Sequence, residues 1–140
     1  MLKRFLFPFL ALFLVQTLQA QTLTLTAPNG GEKLYAGKSF AIKWQSTGTV
    51  SGFVKLEFST NNGTDWNLIQ GGVNNTGTFN WTVPENATGN SCLVRVSDFS
   101  SATISDISNL PFSIQKPFIT ITSPNGGESI AGCSTHKITW

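Results

Sequence analysis

Apolar and polar side chains alternate along most of the chain between residues 40 and 114. In the run FAIKW, Phe40, Ile42 and Trp44 share one side while Lys43 lies on the other. A period of two indicates strands with one buried face. The inward sets are Phe40, Ile42 and Trp44; Val54, Leu56 and Phe58; Phe79, Trp81 and Val83; Cys92, Val94 and Val96; and Leu110, Phe112 and Ile114. Helical spacing is missing after the first twenty residues, so the pattern predicts an all-β domain.

Turn-forming residues separate these runs. The segments PNGG, TNNGTD and GGVNNTG combine proline, which cannot donate to a strand ladder, with Asn and Gly, which accept the backbone angles of tight turns. Strands at these intervals are typical of two packed antiparallel sheets. We therefore expect an immunoglobulin-like antiparallel β-sandwich of about seven strands.

The chain repeats its own opening phrase. TAPNGGEKLYAGKSFAIKW, residues 26–44, returns as TSPNGGESIAGCSTHKITW, residues 122–140, and Trp44 and Trp140 are 96 residues apart. A period near 100 residues suits a whole sandwich domain rather than a solenoid repeat. The predicted organisation is a domain over residues 21–115, a linker at 116–117, and a truncated second copy over 118–140. His136 occupies the position of Phe40 and is predicted to pack on an inward strand face.

The first twenty residues have the features of an export signal. Lys3 and Arg4 precede an apolar run from Phe5 to Val15, which is shorter than the roughly 20 residues that a membrane span needs. We expect a signal peptide over residues 1–20 that is cleaved near Ala20. The expected location is therefore extracellular or at the cell surface, without a membrane span.

Removal of that segment also changes the charge balance. The chain has nine Lys and Arg against seven Asp and Glu, and the loss of Lys3 and Arg4 leaves equal numbers of each sign. A sparsely charged, near-neutral chain lacks the basic footprint of a nucleic-acid-binding protein. No nucleic-acid partner is expected.

Residues for catalysis are scarce in the predicted first domain. The single histidine, His136, lies outside it, which excludes Ser/His/Asp and Cys/His arrangements and histidine metal sites there. Asp98 and Asp106 fall in one loop region, where they are either oxygen ligands for Ca²⁺ or, as we prefer, two solvated turn caps. The remaining acids are scattered over turns and outward positions, and are Glu32, Glu57, Asp65 and Glu85. We expect no catalytic residue, cofactor or metal.

The segment STNNGTDW, residues 59–66, resembles the Asp-box of sialidase propellers, with Asn61 in place of the aspartate. It predicts a hairpin in which Asn61 ties down the turn, Gly63 takes positive φ, and Trp66 folds back over the loop. Trp44 and Trp81 are in phase with aliphatic neighbours and are predicted to be core residues. Trp66 and Tyr35 are the candidates for carbohydrate contact, because exposed aromatic faces stack on sugar rings.

The two cysteines are predicted not to pair with each other. Cys92 belongs to an inward set and is expected to be a buried free thiol, whereas Cys133 lies in the second copy. A strand length of about 17 to 20 Å would separate them, which is beyond the reach of a disulfide. Four glycosylation sequons also occur, at Asn62, Asn74, Asn80 and Asn86, and we assign no modification to them.

Taken together, ITITSPNGGE, the STNNGTDW hairpin, TGTFNWTVP and CLVRVSD resemble a known family. This is the Ser-Thr-rich, glycosylphosphatidylinositol-anchored family related to the amino-terminal domain of the yeast Kre/Knh cell-wall synthesis proteins. Similar modules recur in tandem on secreted bacterial surface proteins. The resemblance carries over no catalytic residue, because its matching residues lie in strands and turns.

Three functions remain open from the sequence. The first is a non-catalytic structural or adhesive spacer in a larger extracellular or wall-associated protein. The alternative is a carbohydrate-binding accessory module of a secreted polysaccharide-active enzyme or peptidase. The third is an enzyme whose catalytic domain lies beyond Trp140, with this segment as an accessory. The expected partners are neighbouring domains of the same chain, together with a cell-wall polysaccharide or a surface protein.

Overall fold

The computed structural model describes residues 20–140, so the predicted signal peptide lies outside the described residues except for Ala20. Within this part of the chain there are nine strands and no helix. The strands are β1 (Thr22–Ala27), β2 (Lys33–Tyr35), β3 (Ser39–Thr47), β4 (Phe53–Ser59), β5 (Asn67–Asn74), β6 (Thr78–Thr82), β7 (Gly89–Asp98), β8 (Ser105–Ile107) and β9 (Phe112–Gln115). From residue 20 onward, no helix has the length and apolar character required to cross a bilayer.

The strands form two sheets. The smaller has the order β1-β3-β6, and the larger has the order β2-β9-β7-β4-β5, with β8 paired to β7. All pairs are antiparallel except β2 with β9, which run parallel. The predicted all-β, immunoglobulin-like sandwich is confirmed. The structure has nine strands instead of the expected seven. The short strands β2 and β8 have only three residues each, which is too few for the alternation in the sequence to indicate them.

The core lies between the sheets and follows the alternation of the sequence. Ile42 and Trp44 from the smaller sheet are buried, as are most of the inward residues of the larger sheet. Trp44 Nε1 donates a hydrogen bond of 2.8 Å to Asn75 Oδ1, which satisfies the one polar atom of the buried indole. Phe40 and Phe79 are partly buried and pack at the margin of the core. The predicted strand phase is therefore confirmed at these positions.

Trp81 and Phe58 join the two sheets. Trp81 is 4% exposed, and its ring centroid lies 5.1 Å from that of Phe58, with the planes tilted by 47°. Such tilted aromatic contacts stabilise a core beyond the burial of their area. The prediction that Trp44 and Trp81 are core residues is confirmed.

Leu110 is the exception to the predicted inward sets, since it is 66% exposed. The strand β9 begins only at Phe112, and Pro111 precedes it. Leu110 N instead donates to Asn29 O at 3.2 Å, so this segment docks on the PNGG turn. A Cβ added at Gly30, where φ is +136°, would lie 2.5 Å from Leu110 Cβ. The prediction for Leu110 was wrong because this docking takes the residue out of the strand.

The PNGGE turn between β1 and β2 is closed by its own glutamate. Glu32 accepts hydrogen bonds from Asn29 N at 2.7 Å and from Gly30 N at 2.8 Å. The second PNGGE segment has the same arrangement, since Glu128 accepts from Asn125 N at 2.6 Å and from Gly126 N at 2.7 Å. The two turns therefore share both sequence and local structure.

Residues 118–140 contain none of the nine strands, but Ser123 pairs antiparallel with Thr139. In the first domain Ala27 pairs with Lys43, and each of these residues lies 96 positions earlier in the sequence. His136 is exposed, so its predicted packing on an inward face was wrong. Its alignment with Phe40 does not bury it, because no second sheet of the described chain covers residues 118–140.

Candidate functional site

The turn between β4 and β5 is held by the side chains of Ser59 and Asn61. Ser59 Oγ donates to Asn61 Oδ1 at 2.8 Å and accepts from Gly63 N at 2.9 Å. Asn61 Oδ1 also accepts from Asp65 N at 2.9 Å, and Asn61 Nδ2 donates to Asp65 Oδ2 at 2.8 Å. Asn61 therefore closes the turn as predicted, and Asp65 serves the turn instead of facing a substrate.

Trp66 packs back against this turn. Gly63 has φ of +83°, and a Cβ at this position would lie 3.4 Å from the Trp66 ring. These contacts confirm the predicted hairpin, with β4 and β5 as its two antiparallel strands. Trp66 is partly buried, so the hairpin holds the indole in a fixed position beside the larger sheet.

Arg95 covers the Trp66 ring from β7. Its guanidinium carbon lies 4.3 Å from the ring centroid, which is within the range of a cation–π contact. The same guanidinium donates to Glu57 Oε2 through Nε at 3.0 Å and through Nη2 at 2.8 Å. Arg95 thus connects the hairpin aromatic residue to the charged outer face of the larger sheet.

Glu57 also forms an ion pair with a second cationic side chain on the outer face of the larger sheet. Lys55 Nζ lies 3.1 Å from Glu57 Oε1, so one carboxylate holds two positive side chains. Burial acts to raise the pKa of Glu57, but its hydrogen bonds and charge interactions with Arg95 and Lys55 together outweigh burial and hold its pKa below the ordinary value. Glu57 is therefore a poor proton donor near neutral pH.

A recess of about 120 Å³ lies beside this ion cluster. Its lining residues come from β4, β7, β8 and the loop before β8, and are Lys55, Glu57, Arg95, Ser97, Ala102 and Ser105. We call it the outer-face recess. The alternation of β4 and β7 placed Lys55, Glu57 and Arg95 on the outward side, but sequence reasoning missed the recess because it depends on how two distant strands are paired.

Tyr35 and Trp66 do not come together. Tyr35 is 43% exposed on β2, at one edge of the larger sheet, whereas Trp66 immediately precedes β5, at the opposite edge. The Trp66 ring extends over Arg95 of β7, whereas Tyr35 lies on the edge strand beyond β9. The two carbohydrate candidates therefore occupy separate positions on the larger sheet.

Asp98 and Asp106 both accept hydrogen bonds from backbone amides. Asp98 is buried and accepts from Ser51 N at 2.6 Å, Ser100 N at 2.7 Å and Ser101 N at 3.0 Å. Burial acts to raise its pKa, but these three backbone donors outweigh burial and lower the pKa. Asp106 Oδ2 accepts from Leu25 N at 2.8 Å and so links β8 to β1. Asp98 is therefore a turn cap, as expected, but it is buried instead of solvated, and Asp106 is partly buried and bonds to β1 instead of capping a turn.

The other candidate chemistry is confined to the cysteines. Cys92 is buried and free, as predicted, and burial raises the pKa of its thiol. Cys133 is exposed and free. Among residues 20–140 there is no group of three His, Cys, Asp or Glu side chains placed to hold a metal ion.

The fold and these sites define an immunoglobulin-like β-sandwich module whose titratable side chains mainly support turns and strand pairs. The model of the Kre9/KNH-like N-terminal Ig-like domain family matches residues 27–109, more than half of the chain, and the chain therefore belongs to that family. This confirms the resemblance seen in the sequence. The family is related to the cell wall, and its fold is a non-enzymatic one. Neither the curated proteins nor the solved structures gave a match.

Proposed function

We propose that this protein is an exported, non-catalytic module of the cell wall or cell surface that serves as a structural or adhesive spacer. Its neighbours would be further domains of the same longer chain. The match to a cell-wall-related family supports this assignment. A closed sandwich with short turns also suits a spacer, because few backbone segments are left open to proteolysis.

The observation that carries the proposal is the structural repeat at 96 residues. The hydrogen bonds of Glu32 recur at Glu128, and the pairing of Ala27 with Lys43 recurs as Ser123 with Thr139. Ile121, Ile138 and Trp140 are exposed, whereas the residues 96 positions earlier are buried core. We read residues 21–115 as one module, 116–117 as a linker, and 118–140 as the opening segment of a second copy.

Truncation after Gln115 tests this division. If residues 21–115 are a complete module, removal of 116–140 leaves the free energy of unfolding unchanged within about 0.5 kcal/mol, as expected for independent units. Urea titration of the two chains makes the comparison. A large loss of stability on truncation would contradict the proposed boundary.

The carbohydrate-binding alternative is favoured by one observation, namely the polar outer-face recess beside the fixed Trp66 ring. In that case the module would assist a secreted polysaccharide-active enzyme or peptidase. Since Trp66 and Tyr35 occupy opposite sheet edges, each must be tested by itself. Trp66→Ala would abolish polysaccharide retention while Tyr35→Ala would not, provided that both variants remain folded.

Module replacement distinguishes the two functions. An unrelated β-sandwich of similar length, placed in the longer chain, preserves a spacer function but removes a carbohydrate-binding function. A flexible Gly/Ser segment of equal residue number abolishes both, because it neither holds its ends at a fixed distance nor carries a binding surface. Adhesion of intact cells is the measurement, and loss of adhesion with the unrelated sandwich would overturn a purely structural spacer role.

A further inference from the structure

The outer-face recess is built by strand register. Lys55 pairs with Ser97, and Ser97 pairs with Ser105, so these three side chains form one row across β4, β7 and β8. Glu57 pairs with Arg95 in the next row on the same face. Because successive strand residues point to opposite faces, the burial of Leu56 and Val96 in the core turns all five side chains outward. Residues from distant parts of the chain are thus brought within contact of one another.

The charges of the recess are not balanced. Lys55 and Arg95 share the single carboxylate of Glu57, which leaves the three side chains with a formal charge of +1. Arg95 bonds to Glu57 through Nε and Nη2, which leaves the N–H groups of Nη1 available, and Ser105 is exposed at the recess. Lys55 Nζ has three N–H groups and one described acceptor, Glu57. The recess therefore offers more hydrogen-bond donors than its own carboxylate can accept.

Ser97 gives a second indication that the recess binds a hydrogen-bond acceptor. Its side chain is 2% exposed, and its Oγ has no hydrogen-bond partner among the described residues. Leaving a buried hydroxyl without a partner is unfavourable, and native structures rarely retain one without a reason. Since Ser97 lines the recess, an acceptor bound there would complete its hydrogen bonding.

The groups that line the recess favour one kind of ligand. Its volume of about 120 Å³ accommodates an oxyanion group of a few heavy atoms. An oxyanion also matches the surplus of donors, because its oxygens accept and do not donate.

We propose that the outer-face recess binds the carboxylate or sulfate group of an acidic polysaccharide. Lys55 and Arg95 provide the charge, Ser97 and Ser105 donate to the anion oxygens, and Glu57 holds the two cations in position. Leu68 and Ile107 flank the Glu57–Arg95 pair on the neighbouring strands and are 63% and 37% exposed. These two side chains form an apolar surface on the same face of the sheet, and the carbon faces of adjoining sugar units pack against it.

A polysaccharide is the favoured occupant because the family is related to the cell wall and because Trp66 lies directly against Arg95. The inference extends the carbohydrate-binding alternative and names its substrate class. It is independent of the spacer role, which requires no ligand. Failure of binding in a folded protein would therefore leave the spacer proposal intact.

Amide and arginine side-chain NMR shifts of the purified chain test the inference. The titrants are trigalacturonate, a sulfated galactose trisaccharide, a neutral glucose trisaccharide and sodium sulfate. We expect the Arg95 Nε–H, Ser97 and Ser105 signals to shift with one or both acidic trisaccharides and not with the neutral one. Added salt should weaken the binding, because the charged groups of Lys55 and Arg95 are partly exposed to solvent.

Two variants and one matched control complete the experiment. Ser97→Ala and Lys55→Gln each lower the affinity about tenfold, the effect of losing one hydrogen bond to a charged group. Ser97→Ala does so without lowering Tm, because the hydroxyl has no partner in the free protein. Lys43→Gln changes an exposed lysine of the other sheet and leaves the affinity unchanged.

Three results would overturn the inference. Equal shifts with the neutral trisaccharide would show that the anionic group is irrelevant. Sodium sulfate that binds as tightly as the acidic trisaccharides would indicate a site for free anions, without polysaccharide recognition. If Ser97→Ala bound the acidic trisaccharides with unchanged affinity, the buried hydroxyl would not be part of the site.

Discussion

The guanidinium of Arg95 lies over the ring of Trp66, with 4.3 Å between the guanidinium carbon and the ring centroid. These residues are far apart in sequence, and the contact requires both the β4–β5 hairpin and the pairing of β4 with β7. Arg95 is also tied to Glu57 by two hydrogen bonds. The contact therefore joins the fold of the hairpin to the arrangement of charges on the outer face.

A double-mutant cycle measures this contact. We expect a coupling free energy of about 0.5 to 1 kcal/mol between Arg95→Gln and Trp66→Leu, because the pair is partly exposed. Urea denaturation of the four proteins supplies the values. Additive effects of the two substitutions would mean that the stacked geometry does not contribute to stability.

Trp81→Ala tests the core. Removal of this buried ring, which contacts Phe58, should lower the free energy of unfolding by about 3 to 5 kcal/mol. Leu68→Ala is the control, since Leu68 is an exposed strand residue and its truncation should change stability by less than about 0.5 kcal/mol. A near-neutral effect of Trp81→Ala would contradict the strand phase.

Asp98→Asn tests the buried carboxylate. The substitution places an amide donor among three backbone donors, so we expect a loss of about 1 to 3 kcal/mol at neutral pH. Glu85→Gln is the matched control at an exposed acid, and it should have little effect on stability.

The pH dependence follows from the lowered pKa values of Asp98 and Glu57. A carboxylate with a lowered folded pKa stabilises the protein above its unfolded pKa, and this contribution is lost as pH falls through the folded pKa. Stability should therefore decline as pH falls below about 4, the range in which unperturbed carboxyl groups titrate. Asp98→Asn should show a shallower decline, and an unchanged slope would count against this role.

The cysteines should differ in reactivity. Cys92 is buried and its thiol has a raised pKa, so it stays protonated and inaccessible, whereas Cys133 is exposed. Thiol titration of the native protein should detect one group, and titration in denaturant should detect two. Rapid reaction of both thiols in the native protein would contradict the packing around Cys92.

Sequence reasoning succeeded where local pattern decides the structure. Alternation alone located Ile42, Trp44 and Val94 in the core, because strand geometry directs every second side chain to one face. The Ser59–Trp66 turn was predicted because the hydrogen bonds of its side chains lie within eight residues. The second copy, the linker and the signal peptide stay predictions.

Three of the misses involve contacts between distant segments, whereas His136 is exposed because no second sheet of the described residues covers it. Leu110 does not follow the predicted alternation because it docks on the PNGG turn, about 80 residues earlier in the chain. Asp98 turned inward because the backbone amide of Ser51 reaches it from another loop. The outer-face recess depends on the register of β4, β7 and β8, and the composition of single strands does not specify register.

The amino terminus and location of the protein made by its host test the proposed role most directly. Whole cells are first treated with a membrane-impermeant thiol reagent, which labels only exposed protein. Intact-mass analysis of the surface and culture fractions then gives the amino terminus and the location. The account predicts a chain that begins at or near Gln21 and carries the label at Cys133. A chain that retains residues 1–20, stays inside the cell and takes no label would contradict it.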